Sequence, residues 1–111
     1  MSDFHDCLKR KLVHVAIGEF KPGKFPQAQE LYEQAIATYG QGFEGAYLFQ
    51  EPGTDRGISI IFWENVGDMS LNQTQLEHQA ILKKMGSLFA QTPQTAVYEL
   101  VSETQPAAQK T

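Results

Sequence analysis

The chain has 111 residues, 41% of them hydrophobic and 11% aromatic, which suits one core in one domain and is too apolar for a disordered segment. Nine basic residues against 13 acidic ones leave a net charge of −4, and the one basic run, Lys9-Arg10-Lys11, is too short for a phosphate footprint, so no nucleic-acid partner is expected. The single cysteine, Cys7, rules out an intrachain disulfide and a cysteine zinc cluster.

Residues 1–11 are mixed and charged and read as an arm or a short helix. Leu12 to Phe20 reads as a strand, with Val13, Val15 and Ile17 on one face and His14, Ala16 and Gly18 on the other. Lys21-Pro22-Gly23 is a turn signal. Apolar or small residues then recur at Ala28, Leu31, Tyr32, Ala35, Ile36 and Tyr39, a single stripe on a helix. Pro26 fits the first helical turn, and Gly40 fits a left-handed stop.

Phe43 to Glu51 and Ile58 to Trp63 read as two strands. The turn formers Pro52 to Gly57 between them predict an antiparallel hairpin. Asn65 to Gln91 is helical in composition, but Gly67, Gly86 and the polar stretch Asn72-Gln73-Thr74-Gln75 divide it into two pieces. Its second piece carries a loose stripe at Leu76, Gln79, Ala80, Leu82, Lys83 and Met85. Thr95 to Ser102 gives a fourth strand, and residues 103–111 form a tail without a large apolar anchor.

This order predicts an α+β, ferredoxin-like β-α-β-β-α-β domain over residues 12–102. A four-stranded antiparallel sheet would carry its helices on one face. Strands one and three are apolar on both sides, so the sheet needs a second cover, which a second copy of the chain would supply in an isologous dimer.

The chain resembles the antibiotic-biosynthesis-monooxygenase-like domains of the dimeric α/β-barrel superfamily. The resemblance rests on Phe20-Lys21-Pro22-Gly23 after strand one and on Gly42-Phe43-Glu44-Gly45 entering strand two. Phe62-Trp63-Glu64-Asn65 at the end of strand three and Leu76-Glu77-His78 in the last helix complete it. It implies a homodimer forming an eight-stranded α/β barrel, with a pocket in each subunit between sheet and helices. Family members include cofactor-free oxygenases of quinols and aromatic polyketides. Haem-degrading members use an asparagine on strand one, a tryptophan in the helical region after strand three and a helical histidine on iron. Here the first asparagine is Asn65 and the only tryptophan, Trp63, falls on strand three, which disfavours that chemistry.

Two histidines are the candidate catalytic residues. His14 has an imidazole that titrates near neutrality and can deprotonate a phenol, giving the electron-rich anion that reacts with oxygen. The competing reading is a core or interface histidine with one hydrogen bond. His78 is equally open to roles as base, iron ligand or surface residue. Trp63, Tyr47, Phe49 and Tyr98 are candidate walls of an aromatic-binding pocket, although aromatics dominate cores in any case. Glu19 and Glu99 alternate with apolar neighbours and read as solvated or paired. His5 and Cys7 are too few for a metal site, and no catalytic triad, phosphate loop or zinc spacing is present.

The expectation is therefore a cofactor-independent monooxygenase acting on a quinol-like or aromatic small molecule, needing no metal and no other cofactor. Its partners would be a second copy of itself and that small aromatic or hydrophobic ligand. The rivals are a non-catalytic dimeric module holding a hydrophobic molecule, haem among them, and a purely structural dimer. No apolar stretch reaches the length of a membrane span and the first residues lack a signal-peptide pattern, so a cytoplasmic setting without membrane contact is expected.

Overall fold

The structure is a computed structural model that describes residues 11–107. Its elements are β1 (Leu12–Glu19), α1 (Phe25–Ala37), β2 (Phe43–Gln50), β3 (Arg56–Trp63), α2 (Val66–Gln73), α3 (Leu76–Gly86) and β4 (Gln94–Glu99). The strands form one antiparallel sheet in the order β2-β3-β1-β4, so the ferredoxin-like plan read from the sequence is the fold observed. No helix among the described residues is long and apolar enough to cross a membrane.

Strand β1 pairs with β3 on one side and β4 on the other, His14 lying opposite both Ile61 and Val97. Its alternation divides the sheet. On the helix side lie two joined core clusters. Phe20, Phe25, Ala28, Met85 and Leu88 form one, and Ile61, Trp63 and Met69 the other. The α1 stripe is as expected, with Ala28 and Ala35 buried and Leu31, Tyr32, Ile36 and Tyr39 half-buried.

Helix α1 starts at Phe25 with Pro26 in its first turn. Lys24 at the N-cap contributes no side-chain bond, and the cap comes from the distant β2–β3 loop. The Asp55 carboxylate accepts from Gly23 N–H at 3.1 Å and from Phe25 N–H at 3.4 Å, while the Asp55 carbonyl accepts from Phe20 N–H at 2.9 Å. The helix does not end on a left-handed Gly40. It closes at Thr38 with tightened bonds to Ala35 and Ile36, and the left-handed residue is Gly42, at φ 85°. A side chain at Gly42 would run into Asp68, so the glycine is required for space as well as for backbone angle.

The segment after β3 does form two helices. Asn65 caps α2, its side-chain oxygen accepting from Asp68 N–H at 2.9 Å. In α3 the buried face differs from the expected stripe. Leu76 is 86% exposed, and the inward residues are His78, Ile81 and Met85, with Leu88 continuing the row beyond the helix. Strand β3 starts at Arg56, two residues earlier than expected, because the Glu51–Arg56 pairing extends the hairpin. Strand β4 ends at Glu99 and residues 101–107 are exposed outside any element. Of the expected arm only Lys11 is described, and His5 and Cys7 fall outside the described residues.

The face of the sheet opposite the helices is open and apolar. Val15, Ile17, Ile58, Ile60, Phe62, Tyr47, Phe49 and Tyr98 lie on it, and Ile17 and Phe49 are about half exposed. A contiguous apolar face of this kind marks an interaction surface.

Because Asp55 ties the hairpin loop to the start of α1, Asp55→Ala is expected to lower stability by about 1 kcal/mol, the usual worth of a helix cap. Urea unfolding should show a lower midpoint at unchanged slope. A midpoint equal to the wild type would mean that the loop does not cap the helix.

Candidate functional site

Between the helix side of the sheet and helices α1 and α3 lies a cavity of about 740 Å³. Its floor is made of small residues on adjacent strands. Ala16 sits opposite Ser59 and Gly18 opposite Gly57, so little side chain fills the space between sheet and helices there. A Cβ on Gly18 would approach the Phe89 ring to 2.8 Å, which fixes glycine at that position. Tyr32, Ala35 and Tyr39 line one wall, and His78, Leu82 and Met85 line the other.

His14 and His78 both line this cavity, in different chemical situations. The His14 ring makes no hydrogen bond to the described residues, and its Nδ1 is buried without a partner. Burial pushes its pKa below the ordinary 6.5, so at pH 7 it is a neutral imidazole able to accept a proton.

His78 is 1% exposed and fully engaged. Its Nδ1 lies 3.2 Å from the Ala35 carbonyl and 3.1 Å from the Thr38 hydroxyl oxygen, and its Nε2 lies 3.1 Å from the Tyr39 hydroxyl. A carbonyl can only accept, so Nδ1–H is the donor on that side and the Tyr39 hydroxyl donates to Nε2. Tyr39 is well suited to this, because burial, helped by neighbouring Tyr32, drives its pKa upward and keeps it protonated. Burial also lowers the His78 pKa, against a smaller opposing effect of the Ala35 bond.

The loop that carries Thr38 and Tyr39 is held by Asn72. Its side-chain oxygen accepts from Gly40 N–H at 2.8 Å, and its amide nitrogen donates to the carbonyls of Gln41 at 3.0 Å and Asp68 at 2.8 Å. Asn72 is buried and leaves no polar atom of its side chain unpaired.

The four aromatic candidates do not line the cavity. Trp63 is wholly buried behind it, edge-on to Tyr39 with ring centroids 4.6 Å apart. Tyr47, Phe49 and Tyr98 lie on the open face, across the sheet from His14, because each sits one residue out of phase with the residues that pair across the helix-side row. Among the polar and aromatic groups that do line the cavity, Tyr32 and Tyr39 stand on the expected α1 stripe and Ser59 within the expected third strand, and none of the three is a site candidate by sequence. One signal was available: Ser59 is the only polar residue in Ile58–Trp63. As an iron ligand for haem, His78 does not fit, since both ring nitrogens already hold protein partners. Among the described residues no three His, Cys, Asp or Glu side chains gather as a metal group.

No family model matches the chain, and no curated protein matches it. Solved structures do. A putative antibiotic biosynthesis monooxygenase from Bordetella bronchiseptica superposes with a TM-score of 0.72 at 22% identity, covering 84% of this chain and 99% of its own. The fold is that of the antibiotic-biosynthesis-monooxygenase proteins. SnoaB, a cofactor-independent oxygenase from Streptomyces nogalater, gives 0.74 at 15% identity over 86% of this chain and 97% of its own. A conserved protein from Methanosarcina mazei gives 0.73 at 15% identity over 81% and 92%. At these identities the likeness concerns the fold.

Both cavity histidines have folded-state pKa values below that of the unfolded chain, so the unfolded state takes up protons first as pH falls. The stability they carry is complete above about pH 6.5 and is lost progressively below it, until the depressed folded-state values are passed. Denaturation of wild type and His14→Asn from pH 7.5 to 5 should show a shallower loss in the variant. Parallel curves would remove His14 from the account.

Proposed function

We propose that the protein is a cofactor-independent monooxygenase acting on a quinol-like or aromatic small molecule, as a homodimer in the cytoplasm. The observation that carries this reading is one neutral, unbonded imidazole, that of His14, in a mostly apolar cavity. The fold shared with SnoaB, described as a cofactor-independent oxygenase, supports it.

In this reading His14 removes the proton of a phenolic hydroxyl, and the resulting anion supplies the electrons for reaction with oxygen. The apolar walls hold the ring in place and keep water from the anion. Of the two histidines expected as base, His14 takes the role. His78 would have to give up bonds to Tyr39 and Ala35 first, so it serves as a fixed wall. Trp63 acts from behind by packing Tyr39. A non-catalytic binding module would share the cavity and would use the His14 imidazole only to accept a hydrogen bond from its ligand.

The open apolar face of the sheet gives the dimer its surface. Packed against the same face of a second copy, Ile17, Ile58, Phe62, Tyr47, Phe49 and Tyr98 leave water and an eight-stranded barrel results. Tyr47, Phe49 and Tyr98 thus belong to the interface in this reading.

Oxygen uptake by the purified, metal-free protein against hydroquinones and anthrones tests the activity. His14→Ala should cut the rate by roughly 10²–10⁴-fold, the usual contribution of a general base, with circular dichroism unchanged. No uptake across the panel would favour the binding module. For the assembly, light scattering should give twice the monomer mass, and Phe49→Glu with Ile58→Lys should give monomers. Monomer mass in the wild type well above micromolar concentration would end the dimer proposal.

A further inference from the structure

The cavity that holds His14 has an open side and a thin side. Its exposed lining residues are Gln79, Leu82 and Gly86 along α3, with Gln91, Thr92 and Thr95 on the way into the edge strand β4. That gap between α3 and β4 is the mouth, and its polar rim suits a molecule arriving from water. A ring seated on His14 through this mouth obstructs it.

The thin side faces the other edge of the sheet. A smaller cleft of about 440 Å³ lies between α1 and the edge strand β2. Tyr32, Ile36 and Leu48 line both spaces, so a wall one side chain thick divides cleft from cavity. Ala46 completes the inner part of the cleft, and Gln29, Glu33 and Gln50 form its exposed rim. Tyr32 is the pinned part of the wall. Its hydroxyl accepts from Ser59 Oγ–H at 3.0 Å and donates to the Tyr47 carbonyl at 3.3 Å. Ile36 and Leu48 are held by packing and are half-buried, and aliphatic side chains that reach the surface change rotamer rapidly.

The two openings suit molecules of different size. An aromatic ring cannot pass a gap made by the turn of one aliphatic side chain. Dioxygen can, since it is diatomic and apolar and needs neither a hydrogen-bond partner nor a counter-charge on the way. Oxygen is also required only once His14 has formed the anion, when the ring already stands in the mouth.

We propose that dioxygen reaches the cavity through the α1–β2 cleft, past Ile36 and Leu48, while the aromatic molecule enters at the α3–β4 mouth. This rests on the oxygenase reading, and it gives the cleft a task as the route of the second substrate.

Two measurements test it, and the first is independent of turnover. Trp63 is the only tryptophan and is wholly buried, and its core cluster packs on Tyr32, Ile36 and Ala46, the inner wall of the cleft. Quenching of its fluorescence by dissolved oxygen reads oxygen entry at that wall. Ala46→Leu fills the cleft and should lower the quenching constant severalfold. Gln50→Phe should do the same from the exposed rim, without touching the core. Tyr32→Phe releases the pinned ring and should raise the constant, and Thr95→Phe at the mouth should leave it unchanged.

Oxygen-uptake kinetics with a hydroquinone should then separate the two substrates. Ala46→Leu should lower kcat/KM for oxygen severalfold, with kcat at saturating oxygen and KM for the hydroquinone unchanged. Thr95→Phe should raise KM for the hydroquinone and leave kcat/KM for oxygen as in the wild type. Quenching that Ala46→Leu and Gln50→Phe leave unchanged, or a normal kcat/KM for oxygen in both, would overturn the route while the oxygenase stands. A wild type without uptake on any hydroquinone would take down the oxygenase reading and the route with it.

Discussion

Everything in this molecule is sorted by the period-two alternation of β1. The strand lies inside the sheet, between β3 and β4, and both of its faces are needed. Val13, Val15 and Ile17 point to the open side. His14, Ala16 and Gly18 point to the helices. A slip of one residue would carry the imidazole onto the open face and drive three branched side chains into the cavity. Pairing on both edges of β1 holds the register, as does the match of small residues across it: Gly18 against Gly57 and Ala16 against Ser59. The cavity lies where those four positions are small on two neighbouring strands at once, beside the core cluster of Phe20, Phe25 and Met85.

The walls above that floor depend on polar contacts from far along the chain. Asp55 caps α1 from the hairpin loop, and Asn72 binds the loop that follows the same helix. Helix α1 is thereby held at both ends by side chains from elsewhere. With the loop fixed, Thr38 and Tyr39 meet His78 from two sides, and α1 is joined to α3 by hydrogen bonds through a buried ring. A buried polar network of this kind specifies one arrangement when its members are satisfied, which those of His78 and Asn72 are.

The element order, the two faces of β1 and the division of the second helical region were legible in the sequence because each has a local cause. Alternation marks the strands, a 3.6-residue stripe marks α1, and turn formers mark the loops. The errors also have local causes. Gly40 looked like a helix stop, but a distant amide, that of Asn72, takes its N–H and moves the left-handed residue to Gly42. Counting the α3 stripe from Leu76 caught Gln79, Leu82 and Met85, which line the cavity, but it started on an exposed residue and missed His78 and Ile81. Starting from His78 the row runs His78, Ile81, Met85 and Leu88, but a polar residue at its head hides the pattern. The aromatic candidates were chosen by type without a register, and Tyr47 and Phe49 fall on the far face once the β2–β3 pairing is known. The irregularity between Phe43 and Gly45 makes that phase unreadable from the entry motif alone.

The two faces of β1 also bear on each other through rigidity. A proton acceptor works only if its ring is held within a fraction of an ångström of the reacting atom, and a side chain is held no better than the strand that carries it. His14 has no hydrogen bond to the described residues to orient it, unlike His78. Among the described residues its placement therefore rests on backbone position and on packing. In a single subunit the reverse side of β1 lacks a cover, with Ile17 half exposed. Closing that face against a second sheet immobilises the strand from behind, at the one element where the site has no polar scaffold of its own. In the proposed dimer the apolar face would do more than hide surface, because a second sheet packed on it would hold β1, and with it the His14 ring, in place.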